Sequence, residues 1–296
     1  MSSVDFHTHA FPDELAPRAI SRIEGLSGIT SVLDGTLGAL VESMDAAGIE
    51  QSVILSIATR PAQCASILAW SKKIASERII PFPSVSPADP QARENIRVAA
   101  EEGFRGLKFH PYYQDFDLDD EAMDPVYAAM EERGLICVSH TGFDHAYPFV
   151  RRADPSRVLN VLRKYPRLAF VATHLGAWRD WELAEKELPS ANLWIDTSYS
   201  LEFMPPENSR RLILCFPPDR VLFGSDSPWA DQGKSLALLK GLSLGTSREE
   251  AIISGNARAL LDTPRAATQL RAHAVDTSNP RSSAAAPSPS RHNPPR

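Results

Sequence analysis

Short apolar runs rich in β-branched residues recur along the chain, at residues 4–9 (VDFHTH), 52–57 (SVILSI), 79–85 (IIPFPSV), 106–110 (GLKFH), 135–140 (LICVSH), 168–174 (LAFVATH), 192–197 (NLWIDT) and 220–226 (RVLFGSD). Runs this short, with this much Val, Ile and Phe, predict eight strands. Between them the apolar positions take a three- and four-residue spacing. Leu37, Leu40, Val41 and Met44 form one such stripe ending near Gly48, and Met123, Val126, Tyr127 and Met130 another ending near Gly134, so helices that stop at glycine are expected there. Helix starts are marked by Asp89 before Pro90, by Asp154 before Pro155, and by Ser247 with Glu250 three residues on as a capping box.

Strand and helix alternate throughout, with no run of adjacent hairpins and about 30 residues per unit. That pattern predicts an α/β fold of the closed (β/α)8 barrel type rather than an open doubly wound sheet, which more often has five or six strands. The stretch 11–35 is then a loop insertion over the barrel mouth. A last helix over 247–261 closes the outer layer.

Length and charge narrow this picture. At 296 residues with 43% hydrophobic and 23% charged positions, the chain is globular and large enough for one barrel. The last 34 residues hold five Arg and one Asp, so residues 1–262 carry 26 basic against 36 acidic groups. A body that acidic is a poor nucleic-acid binder. The Pro-, Ser- and Ala-rich stretch 263–296 has too little apolar surface to bury and is expected to be a disordered tail, so the domain is 1–262. There is no apolar run of membrane-spanning length and no secretory n- and h-region at the start, which predicts a cytoplasmic protein without membrane partners. Cys64, Cys137 and Cys215 are odd in number and widely spaced, suggesting buried apolar residues rather than disulfides or a thiolate zinc site.

The histidines carry the chemistry. His7, His9, His110, His140 and His174 all fall at the C-terminal ends of expected strands, and Asp226 ends the eighth. In a barrel those ends face the active-site mouth, so imidazoles from strands 1, 4, 5 and 6 converge there. Residues two apart on a strand point the same way, which pairs His7 with His9 and Lys108 with His110. A lone histidine is ordinarily a hydrogen-bonded core or surface residue; five at matched strand ends with a carboxylate suit a divalent cation such as Zn²⁺, Mn²⁺ or Fe²⁺.

The motifs DFHTH (5–9), GLKFHP (106–111), SHTG (139–142), THLG (173–176), FGSDSPW (223–229) and GNARALL (255–261) resemble the amidohydrolase superfamily. The resemblance is to its amidohydrolase-related branch, which includes aminocarboxymuconate-semialdehyde decarboxylase and related aromatic-acid decarboxylases. It implies a metal, with zinc expected first and one ion rather than two, held by His7, His9, His140 and Asp226. His174 would be a catalytic or second metal-binding histidine. The strand 4 pair Lys108 and His110 departs from the decarboxylase pattern. In binuclear members of the superfamily a strand 4 lysine is carboxylated and bridges two metals; a lysine facing an anionic substrate and a structural lysine at the rim are the simpler roles.

A bound divalent ion lowers the pKa of its water from 15.7 towards about 7, which favours hydrolysis of an amide, lactone or ester, with Asp226 moving the proton and His174 steadying the oxyanion. The alternative is metal-dependent, non-oxidative decarboxylation of an aromatic or muconate-type acid. A non-catalytic barrel scaffold is disfavoured by the complete ligand set. Arg179, between Trp178 and Trp181, can clamp a carboxylate, and Tyr112, Tyr113, Phe143 and Trp229 can stack on a ring. Each of these aromatics on its own is more often a loop-packing residue, and Arg179 can simply pair with Asp180 or Glu182. Asp144 and His145 can supply an acid or a specificity contact. The expected partner is a small molecule, and a homo-oligomer is compatible with these features. The absence of a GxSxG elbow, a phosphate loop and a GxGxxG fingerprint sets aside other common chemistries.

Overall fold

The computed structural model describes residues 3–147 and 150–263. Eight strands alternate with helices: β1 Val4–Thr8, β2 Gln51–Leu55, β3 Ile79–Phe82, β4 Gly106–Phe109, β5 Ile136–Ser139, β6 Phe170–Ala172, β7 Trp194–Asp196 and β8 Val221–Leu222. β1 to β3 pair side by side, as do β4 to β8, and every ladder is parallel. Two seams join these sets into one closed (β/α)8 barrel. At the first, Lys108 N–H donates to Pro83 O at 3.0 Å; at the second, Phe6 N–H donates to Phe223 O at 2.8 Å and Thr8 bridges Ser227.

An inner cluster of Val4, Phe6, Val53, Leu55, Phe82, Ile136, Val138, Val171 and Leu222 fills the barrel, and Ala257, Leu260 and Leu261 of the last helix pack against it. A larger cluster, including Leu40, Met44, Ile54, Ile96 and Phe109, sits between the strands and the helices. Alternation along β1 is broken by a register shift between Asp5 and Thr8. His7 therefore follows Phe6 onto the inner side, while Asp5 points outward to Ser225 and Gln232.

The glycine-stopped helices form as expected: Leu37–Ala47 ends at Gly48 (φ 68°) and Asp124–Arg133 at Gly134 (φ 60°). Asp89 accepts the Gln91 N–H at 2.9 Å ahead of the helix Ala92–Glu101. Asp154 precedes Pro155–Lys164, yet its carboxylate receives the Ser156 hydroxyl rather than a helix amide. The Ser247–Glu250 capping box does not form. The helix begins one residue earlier, at Thr246, and Glu249 accepts the Leu244 amide at 3.2 Å instead. Nor is 247–261 one regular helix: Thr246–Glu250 runs into a π-turn, Ala251–Gly255, before Asn256–Asp262 resumes. The Ile252 carbonyl in that turn accepts Phe223 N–H at 3.0 Å, and the Asn256 side chain donates to Val221 O at 2.8 Å. Those contacts take over at the end of β8, which accounts for its two-residue length.

The insertion 11–35 carries a helix, Ala16–Ser27, and returns to the loop after β8 through Val32 N–H to Pro228 O at 2.7 Å, consistent with a position at the mouth. Cys64 and Cys137 are buried and unpaired, but Cys215 is exposed at the end of Pro206–Cys215, where its thiol meets Glu185; burial of all three was not correct. Among the described residues no helix is long and apolar enough to cross a membrane. Apart from Thr263, the expected tail 263–296 lies outside the described residues.

Candidate metal centre and active-site cleft

His7 is on β1, and His9, His110, His140, His174 and Asp226 follow the ends of β1, β4, β5, β6 and β8, all at one end of the barrel. His174 and Asp226 stand on left-handed backbone, with φ 60° and 75°. That conformation is rare for residues with a side chain and persists where the surroundings over-determine it. It turns the His174 amide to the Asp196 carboxylate at 2.9 Å and, on β8, turns the Asp226 carboxylate toward β1. Gly224 lies under this arrangement; a Cβ there would come within 2.8 Å of the His7 Cβ.

Hydrogen bonds behind the rings fix which nitrogen carries the proton. His7 Nδ1–H donates to Asp196 Oδ2 at 2.8 Å, leaving the Nε2 lone pair 3.2 Å from Asp226 Oδ1. His9 Nδ1–H donates to the Leu55 carbonyl at 2.7 Å, leaving its Nε2 lone pair 3.1 Å from the same oxygen. Two imidazole lone pairs thus face one carboxylate oxygen, and neither ring has a proton to give it. Edges of 3.1–3.2 Å are what ligands about 2.1 Å from one shared ion show, and this donor set suits a divalent transition metal.

The same accounting extends to the next two rings. His174 Nδ1–H donates to Ser198 O at 3.0 Å, because the Ser198 hydroxyl proton already goes to Asp196. His140 Nε2–H donates to Phe143 O at 2.8 Å. Their remaining nitrogens face each other, lone pair to lone pair, at 3.0 Å. Burial holds these rings neutral, pushing His140 down to about 3 and His7, His110 and His174 well below the ordinary histidine value.

Not all the expected ligands gather at one point. His7, His9 and Asp226 form one group, and His140 falls in a second with His110 and Asp144. The Lys108 amine donates to His7 Nε2 at 3.4 Å, and burial draws its pKa down to about 8. Lys108 and His110 therefore both face the mouth but serve different groups. His110 stacks on His140 with centroids 4.2 Å apart and points Nε2 at Asp144 Oδ2, 3.6 Å away. Its backbone amide is held by Gln114 at 2.8 Å, while its Nδ1 has no partner among the described residues.

Beside these rings a cleft of about 270 Å³ is lined by Phe143, Asp144, His145, Trp178 and Arg179. Burial raises the Asp144 carboxyl to about 6. The Arg179 guanidinium lies 5.7 Å over the Trp178 ring, and the neighbouring Asp180 is taken by Arg151 at 2.7 Å, so Arg179 is left facing the cleft. Gly142 makes the floor possible: at φ 88° its missing Cβ would stand 2.0 Å from the Trp178 amide nitrogen. Tyr112 and Trp229 are not among the lining residues. Tyr112 is a loop pillar whose hydroxyl donates to the Gly142 carbonyl at 2.7 Å, and the Trp229 amide donates to Asp226 O at 2.9 Å.

Sequence reasoning missed Asp196 and Ser198. Asp196 is a buried carboxylate at the C-terminal end of β7, so the strand-end rule that found the histidines would have found it too. It orients His7 through one oxygen and the His174 amide through the other.

The amidohydrolase family model matches residues 4–263. The chain belongs to the amidohydrolase family. Solved structures of this fold include an uncharacterized TIM-barrel protein of Bordetella bronchiseptica, with TM-score 0.70, 22% identity, and 88% of this chain and 98% of that one covered. A 5-carboxyvanillate decarboxylase of Sphingomonas paucimobilis aligns at TM-score 0.67 with 14% identity, covering 88% and 98%. A dihydroxybenzoic acid decarboxylase of Polaromonas sp. JS666, solved with bound manganese and the inhibitor 2-nitroresorcinol, aligns at 0.66 with 16% identity, covering 88% and 96%. At these identities the likeness shows the shared barrel. Comparison with curated proteins gives no match.

Proposed function

We propose that this amidohydrolase-family member is a metal-dependent, non-oxidative decarboxylase of a small aromatic acid. The observation that carries the reading is the His7–His9–Asp226 donor set at the barrel mouth together with a cleft lined by Phe143, Trp178 and Arg179, which His140 and His174 border through Phe143 O and the Trp178 ring. Sequence reasoning put hydrolysis first; the decarboxylases among the structural relatives and the aromatic cleft reverse that order.

His7, His9 and Asp226 would hold the ion, with His140 and His174 offering the next two lone pairs. Manganese and zinc both suit these donors. When bound, the ion supplies positive charge against which a substrate carboxylate and a neighbouring oxygen can be held. Trp178 and Phe143 would take the ring face, and Arg179 an anionic substituent. The bond from ring carbon to carboxylate breaks, CO₂ leaves, and the electron pair left on carbon takes a proton. Asp144, at the cleft wall with its carboxyl raised to about 6, is placed to deliver that proton, and His110 behind it to pass on another. Asp226, also raised by burial, and His174 would serve the hydrolytic alternative as proton carrier and oxyanion partner. Lys108, half-neutral near pH 8, would neutralise charge beside His7.

Isotopes decide between the two. With Mn²⁺- or Zn²⁺-loaded protein and a panel of hydroxylated benzoic acids, lactones and amides, decarboxylation puts solvent deuterium on carbon and releases CO₂ without taking up ¹⁸O from water. Incorporation of ¹⁸O into an acid product, with no CO₂, would replace this reading by the hydrolase.

A further inference from the structure

Asp226 reaches the two histidines only because its backbone is left-handed, and such a conformation needs neighbours that enforce it. The enforcing contact is a clasp on the outer side of β1. Asp5, 0% exposed, receives four donors: the His7 and Ser225 amides on Oδ1 at 3.2 and 2.9 Å, and the Ser225 hydroxyl and Gln232 side-chain amide on Oδ2 at 2.6 and 2.8 Å. The Ser225 hydroxyl in turn accepts Ser227 N–H at 3.0 Å, and the Asp226 amide donates to His7 O at 2.8 Å. One carboxylate therefore ties down the residue before Asp226 directly and the residue after it through Ser225, together with the backbone of His7 across the seam.

We propose that Asp5 is a positioning residue for the metal centre, holding the Asp226 carboxylate in register with His7 and His9 from the opposite face of the strand. It rests on the reading that those three side chains bind a divalent ion. Asp5 itself faces Ser225 and Gln232, whose side-chain amide also reaches the Ser52 hydroxyl, away from the cleft. A buried hydrogen-bond hub that only stabilised the barrel would behave like any other core residue. A positioning hub changes the ion's ligand field and affinity beyond what its effect on stability accounts for.

The test compares Asp5→Asn, which keeps the shape but presents N–H₂ to the Ser225 hydroxyl and the Gln232 amide, with the milder Ser225→Ala. Val53→Ala, a cavity in the inner barrel cluster, serves as a control for lost stability. Mn²⁺ affinity by chelator competition and the visible absorption of Co²⁺-loaded protein are read beside the melting temperature. Asp5→Asn is expected to weaken Mn²⁺ binding about 10- to 100-fold and to alter the Co²⁺ spectrum, Ser225→Ala to do both more weakly, and Val53→Ala to do neither. Pairing Asp5→Asn with Gln232→Glu, which returns the charge and reverses the donor order, should recover part of the affinity. Wild-type affinity and spectrum in both Asp5→Asn and Ser225→Ala would overturn the proposal, as would losses no larger than those of Val53→Ala at equal melting temperature. A wild-type chain that takes up no Mn²⁺, Zn²⁺ or Co²⁺ would overturn the metal reading itself, and this role with it.

Discussion

Two trios of the same composition stand at the barrel mouth: His7, His9 and Asp226 on the β1 and β8 side, and His110, His140 and Asp144 on the β4 and β5 side. Their ring geometry separates them. An imidazole lone pair lies in the plane of its ring, so two rings stacked face to face point their lone pairs side by side and not at one point. The His7 and His9 planes meet at 72°, whereas His110 lies over His140 at 17°. The proton inventory separates them again. Both rings of the first trio give Nδ1–H to an acceptor behind them, while His110 has no partner at Nδ1. In the proposed reading the first trio would hold the cation, and Asp144 of the second, at the cleft wall, would handle protons. Two His and one carboxylate do not make a metal site until the groups behind them set tautomer and aim.

The strongest way to break this contrast is to remove one member of each trio. His7→Ala should abolish metal content, measured by elemental analysis, and lower turnover by several orders of magnitude, with the fold retained because the packed barrel lies below the mouth. Asp144→Asn should leave metal content at the wild-type level while lowering turnover about 10²- to 10⁴-fold, the usual worth of a positioned acid. His110→Ala should likewise keep the full ion content. A loss of half the metal in either variant would mean that the second trio holds an ion as well.

The groups behind the rings should show smaller effects. Asp196→Asn keeps one acceptor oxygen of two, so either His7 or the His174 and Ser198 donors lose their partner, and metal affinity by chelator competition should fall about 10- to 100-fold. An unchanged affinity would show that His7 needs no such partner. Smallest of all, truncation after Asp262 should leave melting temperature and turnover close to those of the full chain. An insoluble or inactive product would place the domain boundary elsewhere.

Much of this was legible in the chain itself. The eight apolar runs were read as strands because a parallel barrel buries both strand faces, and the helices between them announced their ends through Gly48 and Gly134. His7, His9 and Asp226 were legible because strand ends share one rim. The grouping of His140 with His110 and Asp144 was not, since residues beyond the last ladder bond no longer follow the two-residue alternation and all three lie on such loops. Asp5 escaped notice because the register shift in β1 is a property of its pairing, and pairing is invisible in one strand alone. The π-turn was hidden for a related reason: its carbonyl is called for by Phe223, which is distant in sequence.

The seam between β1 and β8 has a consequence for how the molecule breathes. β8 contributes two residues of ladder to β7, and on the β1 side the barrel is held shut by separate contacts at Phe6, Thr8, His9 and Asp226 and by the Asp5 clasp on Ser225. A ligand gripping both sides acts as a fastener. At about 100 times its dissociation constant, an ion binding only the closed barrel adds roughly 2.7 kcal/mol against opening. Amide exchange would register this as slowed hydrogen loss at Phe6 and Asp226 and little change across the β1–β2 ladder. This seam, which has an isolated bridge in place of a ladder, would thus also be where binding energy is converted into closure.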